Sequence, residues 1–309
     1  MKRILLYAIA LFATSCQSVD SKQESEQPPT IDNLIHKLNN PSKNHVMVAA
    51  HRGDWRGYAD NSIEGIESCI RMGVDIVEVD VAMTQDGHLI LMHDKTVNRT
   101  TNGKGKVKEL TLEEIRSLYL KNGLGRASEI FRVPTLEEAL DVTKDRIIVN
   151  LDKSDGYFDR IYPLLKERDM LNQVIIKSDK PYDELIAQYG NIMDEMLFSP
   201  VFKTEVVEQS DDKQYFASAP KNIPAFEVTD FLVEPYDRIT DIYRYINERG
   251  AHMWINTLWS TLGGGYTDDK ALTDPDGNWG YWISRGATII QTDRPQMLID
   301  YLRSKNLRN

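Results

Sequence analysis

Two histidines, one arginine and three carboxylates stand within or at the ends of runs of apolar, β-branched sequence. Ala50-His51-Arg52-Gly53 closes one such run, Glu78-Val79-Asp80 lies inside a second, Met92-His93-Asp94 ends a third, and Asn150-Leu151-Asp152 ends a fourth. Residues two apart on a strand share a face, so Glu78 and Asp80 point the same way. Turned against an apolar layer, two acids would be costly unless paired. Turned toward a solvated rim, they make half of a hard-cation site, and Asp152 on a neighbouring strand offers a third oxygen ligand. Three carboxylates with water suit Mg²⁺ or Ca²⁺. Beside such an ion, Arg52 would hold a phosphate and offset the charge that grows on it. One histidine would take a proton from the attacking oxygen and the other would give one to the leaving alcohol, work that imidazole does near neutral pH. Each residue alone has a plainer role: a strand-end histidine packs, a Glu-x-Asp pair meets lysines, an arginine sits on the surface. Together on one expected face they describe phosphodiester cleavage.

Such a constellation needs strands that end on a common rim. Apolar runs at 46–50, 75–82, 88–92, 146–152, 173–178, 195–200, 223–228, 252–257 and 288–292 read as strands. Amphipathic stretches at 62–72, 135–143, 157–168, 181–189, 236–249 and 294–304 read as helices. Strands alternating with helices argue for a parallel sheet, and eight such units in 309 residues predict an α/β fold, a closed (β/α)8 TIM barrel. The run 88–92 does not fit that count, because it follows 75–82 across Gln85-Asp86-Gly87, a gap too short for a parallel crossover. It predicts an antiparallel hairpin extension after the second strand, with Met83 facing His88 and His93 returning roughly opposite Glu78. Long loops at 95–134 and 260–282 are expected over the catalytic face, the first holding a helix at 111–120 opened by a Thr111/Glu114 capping-box pattern. Asn256 ends its run and Asp293 follows the last one, so both are pocket candidates; Asp293 equally suits a helix N-cap. Trp259, Trp279 and Trp282 are candidates to wall the alcohol side or cage a choline-type cation, and equally to pack.

A formal net charge of -10 argues against a nucleic-acid partner, which needs a long basic track. It leaves room for a small phosphate ester in a pocket with its own metal and cations. Met1-Lys2-Arg3, the apolar run 4–13 and Ala13-Thr14-Ser15-Cys16 resemble a bacterial lipoprotein signal. The run is too short to span a bilayer. Residues 1–15 would be a signal peptide, 16–40 a flexible tether lipidated at Cys16, and 41–309 the catalytic domain. The expected location is the periplasm or the outer-membrane surface, with the membrane touched through Cys16 only. Cys69, at helical spacing from Ile63, Ile66 and Ile70, is then an unpaired core residue, and no disulfide framework is expected.

The runs Ala50-His51-Arg52-Gly53, Asp60-Asn61-Ser62, Val77-Glu78-Val79-Asp80-Val81, Thr84-Gln85-Asp86-Gly87, Met92-His93-Asp94 and Asn98-Arg99-Thr100-Thr101-Asn102-Gly103 closely resemble the glycerophosphodiester phosphodiesterase family. Val133-Pro134-Thr135-Leu136-Glu137-Glu138 and Gln291-Thr292-Asp293-Arg294-Pro295 look like its later signatures, so the resemblance runs from about Asn44 to Leu302, specific in the first half and weaker in the second. It implies a (β/α)8 barrel, one Ca²⁺ or Mg²⁺, and hydrolysis of deacylated phospholipids to glycerol 3-phosphate and an alcohol. By position it implies His51 and His93 as the acid/base pair, Arg52 as the phosphate arginine, and Glu78 and Asp80 as metal ligands.

Two departures bear on the site. Ala59-Asp60-Asn61-Ser62 stands where the family usually has Pro-Glu-Asn-Thr, so Asp60 is a shorter acid, expected with Asn61 at the pocket edge. Asp152-Lys153-Ser154 stands where the family usually has Glu-x-Lys, which leaves Asp152 as the ligand, puts Ser154 in the lysine's place and turns Lys153 to the other face. Lys177, ending the run 173–178, is expected to restore the phosphate-binding charge, and Asn256 and Trp259 to complete the pocket. The rival readings are a sphingomyelinase-D-like or phosphoinositide phospholipase on the same barrel, or a surface lipoprotein that binds glycerophosphate with a decayed site. A lipase calls for an exposed apolar loop at the mouth, and 260–282 is acidic and Gly-rich instead.

Overall fold

Period-two alternation closes the apolar runs into a ring. A computed structural model describes residues 29–205, 209–220, 223–231 and 236–308. Its strands are β1 Met47–Ala50, β2 Ile76–Met83, β3 Leu89–Leu91, β4 Ile148–Asp152, β5 Val174–Ser178, β6 Leu197–Lys203, β7 Ala225–Thr229, β8 His252–Asn256 and β9 Ala287–Thr292. Neighbours β1, β2, β4, β5, β6, β7, β8 and β9 pair in parallel, and β9 pairs back to β1, so the eight-stranded barrel is closed as expected. Outside the ring, β3 lies antiparallel on β2.

The barrel interior is apolar below and polar above. Met47, Ala49, Ile76, Ile148, Ile175, Ala225, Trp254 and Ile289 form one buried cluster inside the ring. The alternate residues, among them Val48, Val77, Val149, Ile176, Ile255 and Ile290, belong to the larger core shared with the helices. Two residues further along the inner face the sequence turns polar: Glu78, Asn150, Lys177, Ser199, Glu227, Asn256 and Gln291 are all buried. A layer of that composition at the C-terminal rim is where barrel enzymes do chemistry.

Helix Ile31–Asn39 plugs the opposite end, capped by the Thr30 hydroxyl and burying Leu34 and Leu38 against the lower cluster. Each of those leucines contributes about 1.5–3 kcal/mol, enough to hold a short helix. The expected tether over 16–40 is therefore corrected at its C-terminal end, where 31–39 is structured; the expected signal peptide and Cys16 lie outside the described residues. Arg308 pairs with buried Asp75, which also accepts from Val48 N, and so ties the chain's end to this face.

The hairpin pairs Val81 with Leu91 and Met83 with Leu89, one residue from the expected Met83–His88 register. A second small core of Ala59, Ile90, Met92, Val97, Val107, Ile115, Leu120 and Val133 packs under the 95–134 segment and braces β3 from above. The helix expected at 111–120 spans only Leu112–Arg116, with the capping box from Thr111 and Glu114 present. Residues 260–282, expected as loop, contain helix Asp268–Ala271 and most of helix Pro275–Ser284, because Thr267 and Asp274 each cap a following N-terminus. Trp279 and Trp282 are core residues there, 2% exposed each, and not pocket walls.

Candidate active site

The chain turns sharply as it leaves β1. Arg52 and Gly53 both have positive φ, at 55° and 72°. A side chain at Gly53 would bring its Cβ within 3.2 Å of the Gly65 backbone, so only glycine lets the turn sit this close to the next helix. The turn aims His51 and Arg52 back over the barrel, with Arg52 N donating to Glu78 Oε2 at 2.8 Å. Asn61, also at positive φ, donates to Asp80 Oδ2 and accepts from Asp80 N, both at 2.9 Å. That pair locks the Asp80 carboxylate from below.

Glu78, Asp80 and Asp152 each offer an oxygen within 4.8 Å of the others. Adjacent strands in register put them there: Glu78 pairs with Asn150 and Asp80 with Asp152. Among the described residues Glu78 Oε1 and Asp80 Oδ1 are buried with no hydrogen-bond partner, as is Arg52 Nε. Burial, then the Asp80 charge, pushes the Glu78 carboxyl up to about 8. Three crowded acids with unmet buried oxygens fit a hard divalent cation, which would remove both penalties.

Each histidine is held by a carboxylate on its Nδ1. His51 Nδ1 lies 2.8 Å from Asp293 Oδ1, which also accepts from Trp55 Nε1 at 2.7 Å. Asp293 is thus an orienting group for His51; it is not the N-cap of the last helix, which begins after Arg294 without a side-chain cap. His93 Nδ1 lies 2.6 Å from Asp94 Oδ1, and Asp94 is gripped by Arg99 at 2.8 Å. A carboxylate only accepts, so both rings carry hydrogen on Nδ1 and leave Nε2 for other work. Burial works to lower the His51 pKa, but the Asp293 bond and the Glu78 and Asp293 charges outweigh it and raise it. Burial lowers the His93 pKa against the opposing pull of Asp80 and Asp94.

Asp60, the shortened acid, bridges two arginines: Arg52 Nη1 at 3.2 Å and Arg99 Nη1 at 2.9 Å. Arg52, Asp60, Arg99, Asp94 and His93 therefore form one continuous ionic chain along the rim. Residue type alone does not single out its middle members, Asp94 and Arg99, although both stand inside family-like runs. Lys153 departs from expectation. Its positive φ of 53° turns the side chain inward, where Nζ donates to His93 O at 2.9 Å and lies 3.8 Å from Asp80 Oδ1.

His51, Arg52, His93, Asp152, Lys153 and Lys177 line one cavity of about 370 Å³, with Glu227, Asn256 and Gln291 in its floor and Lys203, Asp230 and Trp259 toward its outer wall. Trp259 is 47% exposed and its ring centre lies 6.2 Å from that of His51. Lys177 is buried; burial works to lower its pKa, yet Asp152, Glu227 and Glu78 raise it, so it is a permanent cation.

Residues 51–192 match the model of the glycerophosphoryl diester phosphodiesterase family, and residues 198–302 match that of a domain of unknown function. A glycerophosphodiester phosphodiesterase of Caldanaerobacter subterraneus subsp. tengcongensis is 38% identical over 139 residues, 45% of this chain and 54% of that protein. The chain thus spans about half that relative's length. The solved structure of a glycerophosphoryl diester phosphodiesterase from Parabacteroides distasonis superposes with a TM-score of 0.70 at 25% identity, covering 90% of this chain and 93% of that one. An Oleispira antarctica phosphodiesterase solved with its product sn-glycerol-3-phosphate has the same fold, with a TM-score of 0.63 at 18% identity over 83% of this chain and 96% of that one.

Proposed function

We propose, from the match of residues 51–192 to the model of the glycerophosphoryl diester phosphodiesterase family, that this protein is a hydrolase that cuts glycerophosphodiesters into glycerol 3-phosphate and an alcohol. The observation that carries the proposal is that His51, Arg52, His93 and Asp152 line a single cavity, and that Asp152 forms a close acid trio with buried Glu78 and Asp80. Glu78, Asp80 and Asp152 would hold one Ca²⁺ or Mg²⁺. Such an ion, when bound, draws electron density from the phosphoryl oxygens and offsets their charge in the transition state.

The remaining steps belong to side chains. Arg52, whose Nε makes no hydrogen bond and only a 3.5 Å ion pair with Asp80 Oδ2, binds phosphate from one side; Lys177 and Lys153 add positive charge from the other. His93, held neutral by its lowered pKa, takes the proton of the attacking oxygen. His51, whose raised pKa favours the protonated ring, delivers a proton to the leaving alcohol. Asp60 and Asn61 act through others, the first on Arg52 and the second on Asp80. The lining is mostly charged and polar, with Val201, Leu258 and Leu262 as its aliphatic members. Seating an acyl chain there would strip water from charged groups such as Lys153, Lys203 and Asp230, which favours deacylated diesters over intact lipids.

The test is a panel of glycerophosphocholine, glycerophosphoethanolamine, glycerophosphoglycerol, glycerophosphoinositol and an intact lysophospholipid, with the ion supplied and then chelated. Release of glycerol 3-phosphate from the diesters alone, abolished by chelation, is expected. Faster cleavage of the lysolipid would favour a lipase, and no cleavage of any substrate would leave only a binding protein. Export as a lipoprotein remains part of the proposal on the strength of the leader sequence. Cys16→Ser should move the protein from the membrane fraction to the soluble one; an unchanged distribution would remove the lipid anchor.

A further inference from the structure

Glu227 on β7 is buried inside the barrel, and none of the steps above uses it. Its Oε2 accepts from Lys177 Nζ at 2.9 Å and its Oε1 from Asn256 Nδ2 at 2.7 Å. Asn256 is fixed in turn, because its Oδ1 accepts from Trp254 Nε1 at 3.1 Å. Both carboxylate oxygens are therefore committed, and the group has one orientation. Lys177 Nζ, so held, stops 3.8 Å short of Asp152 Oδ2. A buried ammonium free to choose would close on that carboxylate to about 2.8 Å and form a direct charge-assisted bond.

We propose that Glu227 is a positioning residue that holds Lys177 off Asp152, keeping an Asp152 oxygen for the divalent ion while the lysine's charge stays in the cavity. The inference rests on the metal reading of Glu78, Asp80 and Asp152 given above. Glu227 and Asn256 lie in the stretch 198–302, whose matching domain has no named function, whereas Asp152 and Lys177 lie in 51–192. Through this contact the second half of the barrel restrains the cation that would otherwise compete for the ion's ligand. In Glu227→Gln the amide oxygen still serves Asn256, but its NH2 faces the ammonium and drives Lys177 toward Asp152.

Titrating Mg²⁺, and separately Ca²⁺, into the purified metal-free protein by calorimetry tests this without any turnover. Glu227→Gln should weaken ion binding roughly tenfold, the range found for residues that act through a metal ligand. Glu227→Asp keeps the charge but shortens the reach, and should weaken binding nearly as much. The double variant Glu227→Gln/Lys177→Met should restore affinity, since the competing cation is gone. Wild-type affinity in Glu227→Gln or in Glu227→Asp overturns the positioning role, and a double variant as weak as Glu227→Gln alone reassigns the loss to damaged packing and overturns it too. A wild-type protein that binds neither ion removes the metal reading itself and the inference with it.

Discussion

His51→Ala should lower kcat on a glycerophosphodiester of an alkyl alcohol by about 10³-fold, within the range for loss of a general acid or base. The same variant should recover most of that loss on glycerol 3-(p-nitrophenyl phosphate), whose phenol leaves as an anion and needs no proton. The reasoning is in the two imidazole environments. Asp293 and Glu78 favour a charged His51 ring, which suits a proton donor, while burial keeps His93 neutral, which suits a proton acceptor. On the proposed roles His93→Ala removes the group that would prepare the attacking oxygen, so it should be slow on both substrates. Steady-state rates for the two variants on the two substrates form a square with one fast corner. If His51→Ala were equally slow on both substrates and His93→Ala were the rescued one, the roles would be exchanged. Equal defects at all four corners would mean that neither ring transfers a proton to the leaving group.

What is legible in the chain itself follows from locality. Strand alternation and the acids two apart on β2 are properties of a few consecutive residues, and they carry the barrel, the rim and the trio Glu78, Asp80 and Asp152. The hairpin is legible for the same reason: Gln85-Asp86-Gly87 admits nothing but a tight turn. The ionic chain from Arg52 to His93 is not, because it joins residues far apart in sequence through left-handed turns at Arg52 and Asn61 that non-glycine sequence does not announce. Lys153 escapes on the same ground, since period two assigns it outward and its positive φ returns it to the cavity. Helix Ile31–Asn39 does carry a signal, because Ile31, Leu34 and Leu38 recur at helical spacing behind a Thr30 cap. Their polar neighbours hide them inside a tether-like stretch. Glu227 carries no local signal at all: one acid in an apolar strand becomes meaningful only once Lys177 and Asn256 are found beside it.

Glu78→Gln should pull activity and stability in opposite directions. Loss of a proposed metal ligand should cut kcat/KM by about 10³-fold, several kcal/mol of charge stabilisation on the phosphoryl group. The metal-free protein should nonetheless become more stable. Glu78 is wholly buried beside Asp80, one of its oxygens has no hydrogen-bond partner among the described residues, and burial with the Asp80 charge pushes its carboxyl from the ordinary 4.5 up to about 8. A carboxyl whose folded pKa lies above its unfolded one binds more protons folded than unfolded between those values, so the stability it contributes is lost as pH rises through that window. At pH 8 the cost is on the order of 4 kcal/mol. Gln removes it while its amide oxygen still accepts from Arg52 N, the bond now made by Glu78 Oε2 at 2.8 Å. Urea unfolding in chelator should therefore show wild-type stability falling from pH 5 to pH 8 and Glu78→Gln staying level and higher at the upper end. Adding Mg²⁺ or Ca²⁺ should raise the wild type alone, by ligand binding to the folded state. A flat wild-type profile, or an equal gain from the ion in both proteins, would show that Glu78 bears no such strain and that the ion does not sit on it. The expected pattern has one physical source: acids packed this closely without a cation weaken the fold, and the same packing gives a divalent ion its hold.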